Sequence, residues 1–205
     1  DSNWLKGTVP TEVGTLTNLQ IFDLNFNENI TGTIPTEVCS LTKLNVFGLA
    51  YGNLSGSIPD CIGNWRDMEL LVLSNNLLAG PVPPALALLS ELQAVYIDDN
   101  LLTGDITTMF NNMPNLRLLY AEDNFLNGTL DDNFLSGHEK VQAIDISTNQ
   151  IGGIVPEHFF SLPDLVVLDL HANQLFGMIP DSLPNNSAWT PTSPGSSHRK
   201  NRPSC

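Results

Sequence analysis

Asp145 and Ser147 are followed 24 residues later by Asp169 and His171, so that a hydroxyl, an imidazole and two carboxylates recur at matching spacing. Such a set is the raw material of nucleophilic catalysis, with serine attacking, imidazole as base and an aspartate orienting it. No neighbouring feature supplies an oxyanion hole or encloses a substrate, so the set reads as a solvated polar surface and the chain as a non-enzyme. The four histidines, His138, His158, His171 and His198, and the three cysteines, Cys39, Cys61 and Cys205, follow no metal-ligand spacing. Without a glycine-rich phosphate loop either, neither metal nor cofactor is expected. A second constellation points to binding: Tyr96, Asp98 and Asp99 are followed, again 24 residues on, by Tyr120, Glu122 and Asp123. Two aromatic anchors beside four stacked carboxylates suit a partner bearing Lys or Arg, because like charges repel across a sheet until a cation sits among them.

The charge balance agrees. The 205 residues carry 22 acidic and 8 basic side chains, a formal net charge of −14. Arg199, Lys200 and Arg202, in the last seven positions, are three of those eight basic residues. A nucleic-acid partner is disfavoured because the body lacks a basic footprint for phosphates, and a basic protein or peptide fits the field better. With 41 % hydrophobic residues the chain has enough material for a core. The most apolar stretch, Leu70 to Leu89, is interrupted by Ser74, Asn75, Asn76, Gly80 and three prolines. It falls short of the roughly 20 consecutive apolar residues of a membrane helix, so no insertion by this segment is expected.

A repeat places these residues. One cycle runs from Leu92 through Val95, Ile97, Asn100, Leu102 and Gly104 to Ile106. Its asparagine returns at Asn3, Asn27, Asn76, Asn100, Asn124, Asn149 and Asn173. Its glycine returns at Gly7, Gly32, Gly56, Gly80, Gly104, Gly128, Gly153 and Gly177, spaced by 24 or 25 residues. Pairs such as Phe22 and Leu24, or Val95 and Ile97, have the period of two of a short strand with one buried face, so copies stack into a parallel sheet. The asparagines after the strands offer amides to adjacent coils as a ladder of Asn27, Asn76, Asn100, Asn124, Asn149 and Asn173. Gly52 stands where one rung belongs, which predicts a locally weaker coil. The glycine permits a turn with positive φ, and the Ile-Pro or Val-Pro that follows fixes an extended bend. Residues such as Val38 and Leu41 then point inward from short helical or 3₁₀ segments on the outer side. No coil buries its apolar edge alone, so each supplies its neighbour's core.

This pattern resembles the plant-type extracellular leucine-rich repeat, Leu-x-x-Leu-x-Leu-x-x-Asn-x-Leu-x-Gly-x-Ile-Pro, known from receptor-kinase ectodomains, polygalacturonase-inhibiting proteins and antifreeze proteins. The resemblance covers residues 3–180. It implies an α/β solenoid, a right-handed superhelix with a parallel sheet on the concave face and short helical or 3₁₀ segments on the convex face. Residues 1–180 then form about seven full coils plus a partial first coil, and 181–205 a Pro/Ser-rich basic tail. Thr107 and Asp131 depart from the pattern by replacing the proline. The paired-cysteine caps of plant members are absent, and Asp1 falls just before a mid-repeat asparagine, so a fragment lacking N-terminal coils is expected. Cys39 and Cys61 lie in adjacent coils, two frame positions apart, where a bridge and two unbonded small side chains are both open. The resemblance implies a secreted protein or the extracellular face of a membrane protein. Asn29, Asn53, Asn127 and Asn185 head glycosylation tripeptides, to be used if the chain passes through a secretory route.

Such solenoids meet partners on the concave face, here lined by Phe26, Tyr51, Tyr96, Asp98, Asp99, Tyr120, Glu122, Asp123, Asp145, Asp169 and His171. The leading expectation is a non-catalytic module recognising a basic protein or peptide. An assembly subunit of a larger extracellular or membrane-associated complex is the alternative. Rows of threonine around the glycines, as at Thr8, Thr31 and Thr33, raise a third reading, ice binding, although Ala79, Pro81 and Asp105 break them.

Overall fold

A computed structural model describes residues 3–178. The alternating apolar pairs form seven strands, Ile21–Asp23, Val46–Gly48, Leu70–Val72, Ala94–Tyr96, Leu118–Tyr120, Ala143–Asp145 and Val167–Asp169, in one parallel sheet ordered as in the chain. Pairing keeps the repeat frame: Tyr96 lies opposite Tyr120, and Tyr120 opposite Asp145. The middle residues Phe47, Leu71, Val95, Leu119 and Ile144 are buried, as period-two geometry requires, and join a continuous core running coil to coil. These coils form a leucine-rich-repeat solenoid.

The asparagines work between coils. Asn76 Nδ2 donates to Leu73 O and Ser74 O of its own coil and to Leu49 O of the preceding one, while its Oδ1 accepts from Leu54 N at 3.0 Å. Asn100 and Asn124 repeat the arrangement, accepting from Leu78 N and Leu102 N. Asn149 and Asn173 do the same toward Leu126 N and Ile151 N, and Asn27 accepts from Leu5 N. At Gly52 the gap is closed by backbone: Ile30 N, the donor a side chain there would have met, bonds to Asn27 O at 2.9 Å. The coil loses an inter-coil tie but leaves no amide orphaned.

A second parallel sheet, which the repeat frame did not announce, follows the asparagine turns. Lys6–Thr8, Asn29–Thr33, Asn53–Gly56, Leu77–Pro81, Leu101–Asp105 and Phe125–Asn127 form it, and Thr129–Leu130, Gly152–Ile154 and Gln174–Phe176 form a separate three-stranded sheet beyond Gly128. Only one side chain per strand, such as Leu54, Leu78, Leu102 or Leu126, turns inward, so the alternation is too short to stand out.

On the convex side five 3₁₀ turns, Thr11–Thr15, Thr36–Ser40, Asp60–Asn64, Pro84–Leu88 and Glu157–Ser161, each follow a proline. Where Thr107 replaces the proline, Ile106–Met109 makes a single α turn capped by Asp105, whose carboxylate accepts from Thr107 N at 2.9 Å. Asp131, in the other departing coil, accepts from Asn133 N and Nδ2, bonds that hold its carboxyl below the ordinary carboxylate value. Aspartate thus nucleates the turn wherever proline is missing. Cys39 and Cys61 are bridged, tying two adjacent turns with Cα atoms 5.5 Å apart.

Candidate functional site

The concave face is built from three rows. The outer residue of each strand, including Asp23, Tyr96, Tyr120, Asp145 and Asp169, forms the first. Two residues on comes a second row of Asn25, Ala50, Ser74, Asp98, Glu122, Ser147 and His171, and immediately after it a third of Phe26, Tyr51, Asn75, Asp99, Asp123, Thr148 and Ala172. Every residue of the third row has left-handed backbone, φ 51° to 59°. That uncommon conformation turns the chain sharply toward the buried asparagine and draws the second row inward.

This corrects the expected surface. Asp98 is 0 % and Glu122 6 % exposed, so neither carboxylate lines the face, and Asn25, Ala50, Ser74 and Ser147 of the same row are buried too. Ser74 Oγ donates to Asp98 Oδ1 at 2.5 Å, as expected of a carboxylate removed from water. His171 alone in the row is open, its side chain 61 % exposed. On this face of the central and last coils the acidic groups that reach solvent are Asp123, which is exposed, and the half-buried Asp99, Asp145 and Asp169.

Three first-row aspartates share a local duty. Asp23, Asp145 and Asp169 each accept the backbone N–H two residues on, from Asn25 at 2.9 Å, Ser147 at 3.1 Å and His171 at 3.2 Å. Aspartate therefore pins the bend, which commits part of its hydrogen-bonding capacity to its own coil. Ser147 Oγ donates to Asp145 Oδ1 at 2.7 Å, so the hydroxyl is turned to its own coil while His171 Nδ1 lies 2.7 Å from Asp169 Oδ1. A shallow depression of about 170 Å³ lies at the N-terminal end of these rows, lined by Asn3, Leu5 and Asp23 through Asn27.

Burial pushes the Asp145 carboxyl above its ordinary value, against the opposing bonds from Ser147. The bond to Asp169, reinforced by that residue's charge and those of Asp145 and Asp123, raises the His171 imidazole above its ordinary 6.5. Because the folded value is the higher one, this stabilisation is complete below the unfolded pKa and disappears as pH rises through the folded one. An NMR titration should give His171 a midpoint above that in the Asp169→Asn variant; equal midpoints contradict the pairing.

Aromatic side chains supply the most regular feature. Tyr96 and Tyr120 stack with ring centroids 5.1 Å apart and planes inclined by 3°, and Phe26 and Tyr51 stack at 4.7 Å and 14° in the N-terminal coils. Asn29, Asn53 and Asn127 are exposed on the second sheet, and Asn185 lies outside the described residues, as does the stretch 181–205. His138 is buried where other coils place Leu41, Leu89 or Leu162, a core substitution apart from the concave face. Sequence reasoning also missed Leu77, Leu101 and Phe125, large apolar side chains left 44–51 % exposed one position past the ladder asparagines. A signal existed, since Asn-Leu-Leu and Asn-Phe-Leu place two apolar residues where a strand buries only the second.

Residues 122–175 match the leucine-rich-repeat family model. No curated protein sequence matches the chain. Among solved structures, the chain is similar to the Arabidopsis receptor kinase HAESA in complex with the peptide hormone IDA and the co-receptor SERK1. That likeness has 32 % identity and a TM-score of 0.82 over 89 % of this chain and 30 % of the receptor. It is similar to the plant peptide hormone receptor RGFR1 in complex with RGF2 at 30 % identity and a TM-score of 0.73, over 88 % of this chain and 32 % of that one. A plant ice-binding protein shares 26 % identity at a TM-score of 0.62, covering 88 % of this chain and 73 % of that protein. The chain spans about a third of the length of the two receptors. Among the described residues no helix is long and apolar enough to cross a membrane.

Proposed function

We propose that the chain is a non-catalytic recognition module, displayed outside the cell, that binds a basic protein or peptide segment on its concave face. The carrying observation is the parallel Tyr96–Tyr120 stack on adjacent strands, bordered by Asp99, Asp123 and Asp145. Two rigid aromatic faces offer large contact area at small entropic cost, and the bordering carboxylates draw and orient a cationic partner. Ser147 and His171 act in the bend and on the rim, with no nucleophilic role. Likeness to receptor ectodomains solved with peptide hormones supports the same reading.

A random peptide library displayed on phage, selected on the immobilised protein, tests it. The pool should be rich in Lys and Arg and should lose about tenfold or more in affinity for Tyr96→Ser/Tyr120→Ser. A pool that binds this variant as well as the original protein overturns the concave assignment. Ice binding is favoured by the likeness to the plant ice-binding protein and by exposed Thr8, Thr31, Thr33 and Ser55 on the second sheet, with exposed Ser57 just past it. Pro81 and Asp105 end those rows, so the recognition reading is preferred.

A further inference from the structure

The exposed apolar side chains of the second sheet are not scattered. One position past the ladder asparagine the central coils carry Leu77, Leu101 and Phe125, exposed by 51 %, 44 % and 48 %. The other coils place Trp4, Glu28, Asn53, Gln150 and Gln174 there, so Trp4 of the first coil is separated from Leu77 by two polar positions. The stripe is therefore confined to three consecutive coils, two of which carry Tyr96 and Tyr120. The register sets Leu101 opposite Ala79 and Phe125 opposite Thr103, so successive members of the stripe are diagonal neighbours on adjacent strands, about 7–8 Å apart and within reach of large side chains. Single exposed leucines are ordinary on a soluble protein, whereas an aligned row of three marks a surface to be covered.

The stripe is joined to the concave face. Leu101 and Phe125 follow Asp99 and Asp123 by two residues, and the left-handed backbone at both aspartates, φ 52°, turns the chain around the sheet edge at that point. Across the edge one meets in order a tyrosine, an aspartate at the corner and a large apolar side chain, repeated in two adjacent coils. With 22 acidic residues against 8 basic ones, the surrounding field favours a cation over that corner.

We propose that the recognition surface wraps over the sheet edge, so that its partner is a basic segment whose Lys or Arg side chains lie over Asp99 and Asp123 while its apolar side chains cover Leu77, Leu101 and Phe125. This rests on the concave-face reading and adds to it a second, apolar contact beyond the corner. The surface is continuous, which lets one short segment bury apolar area and pair charge together.

The test uses peptides selected by the whole chain from the phage-displayed random library and measures their affinity for Leu101→Ser/Phe125→Ser, with Phe176→Ser on the last coil as control. Exposed positions tolerate such changes with little effect on stability, and matching thermal melts verify the fold. The expected result is a pool containing both basic and large apolar residues, an affinity about tenfold or more lower for the double variant, and none lost for Phe176→Ser. A pool that loses affinity for Tyr96→Ser/Tyr120→Ser but not for Leu101→Ser/Phe125→Ser overturns the wrap and leaves the concave reading standing. No enrichment on the original protein overturns both.

Discussion

Gly153→Ala is expected to destabilise the solenoid by about 2–5 kcal/mol, the sum of two separate penalties. Gly153 has φ +95°, a conformation in which a β-carbon meets its own backbone at a cost of about 1–2 kcal/mol. It also pairs with Leu130 of the preceding coil so closely that an added β-carbon would lie 2.6 Å from Leu130 N and press on Leu130 O. Backbone cannot rotate aside as a side chain does, so the overlap forces the coils apart, costing about 1–3 kcal/mol more. Gly7 separates the two terms: its φ of +104° is similar, but an added β-carbon there has nothing within 4 Å. Gly7→Ala should therefore show only the conformational part. Urea unfolding of both variants reads the difference, and equal midpoints would contradict the close approach at Gly153. Because each coil depends on the next for its core, Gly153→Ala should also loosen the coils beyond it, seen as a broadened transition.

Trp65→Ala should cost about 3–5 kcal/mol, as expected for emptying a large aromatic site in a packed core. Trp65 is 1 % exposed and fills the frame position that Leu41 and Leu89 occupy in neighbouring coils. Its ring packs on Phe47 at 4.8 Å, Phe47 stacks on Phe22 at 5.5 Å, and its indole Nε1 donates to Val38 O at 3.2 Å. Trp65 thus ties its own coil to the preceding one beside the Cys39–Cys61 bridge. Val38 O keeps a second donor in Leu41 N, so the loss comes mainly from packing. Trp65→Leu, restoring the residue of other coils, should recover part of it. Trp4, 91 % exposed, should tolerate alanine within about 0.5 kcal/mol, and a similar cost at both tryptophans would refute the packing account.

The concave strands and the asparagine rungs were legible because each coil repeats them where only one side chain suffices. Two things were not. The left-handed turn at Asp99 and Asp123 has no residue signature, since the same place also holds Phe26, Tyr51, Thr148 and Ala172, none of them glycine. Without that turn Asp98 and Glu122 read as surface carboxylates, although the chain folds them inward. The second sheet was hidden for another reason: its buried residue is single and its neighbours range from Thr to Leu to Asp, so burial there is dictated by stacking against adjacent coils and not by local pattern. The same effect left the outward turn of Leu77, Leu101 and Phe125 unread. The closing of the Gly52 gap by Ile30 N and Asn27 O likewise depends on a backbone rearrangement that composition does not encode.

Hydroxyl-radical footprinting of the protein with and without a peptide synthesised from the selected pool tests the recognition face most directly, because oxidation reads the solvent access of individual side chains. Tyr96, Tyr120, Leu101 and Phe125 should each be oxidised more slowly in the complex, while Trp4, Val166 and Phe176 keep their rates. Unchanged oxidation of both tyrosines, with protection appearing on the convex turns instead, would contradict the proposal that this solenoid binds its partner on the concave side.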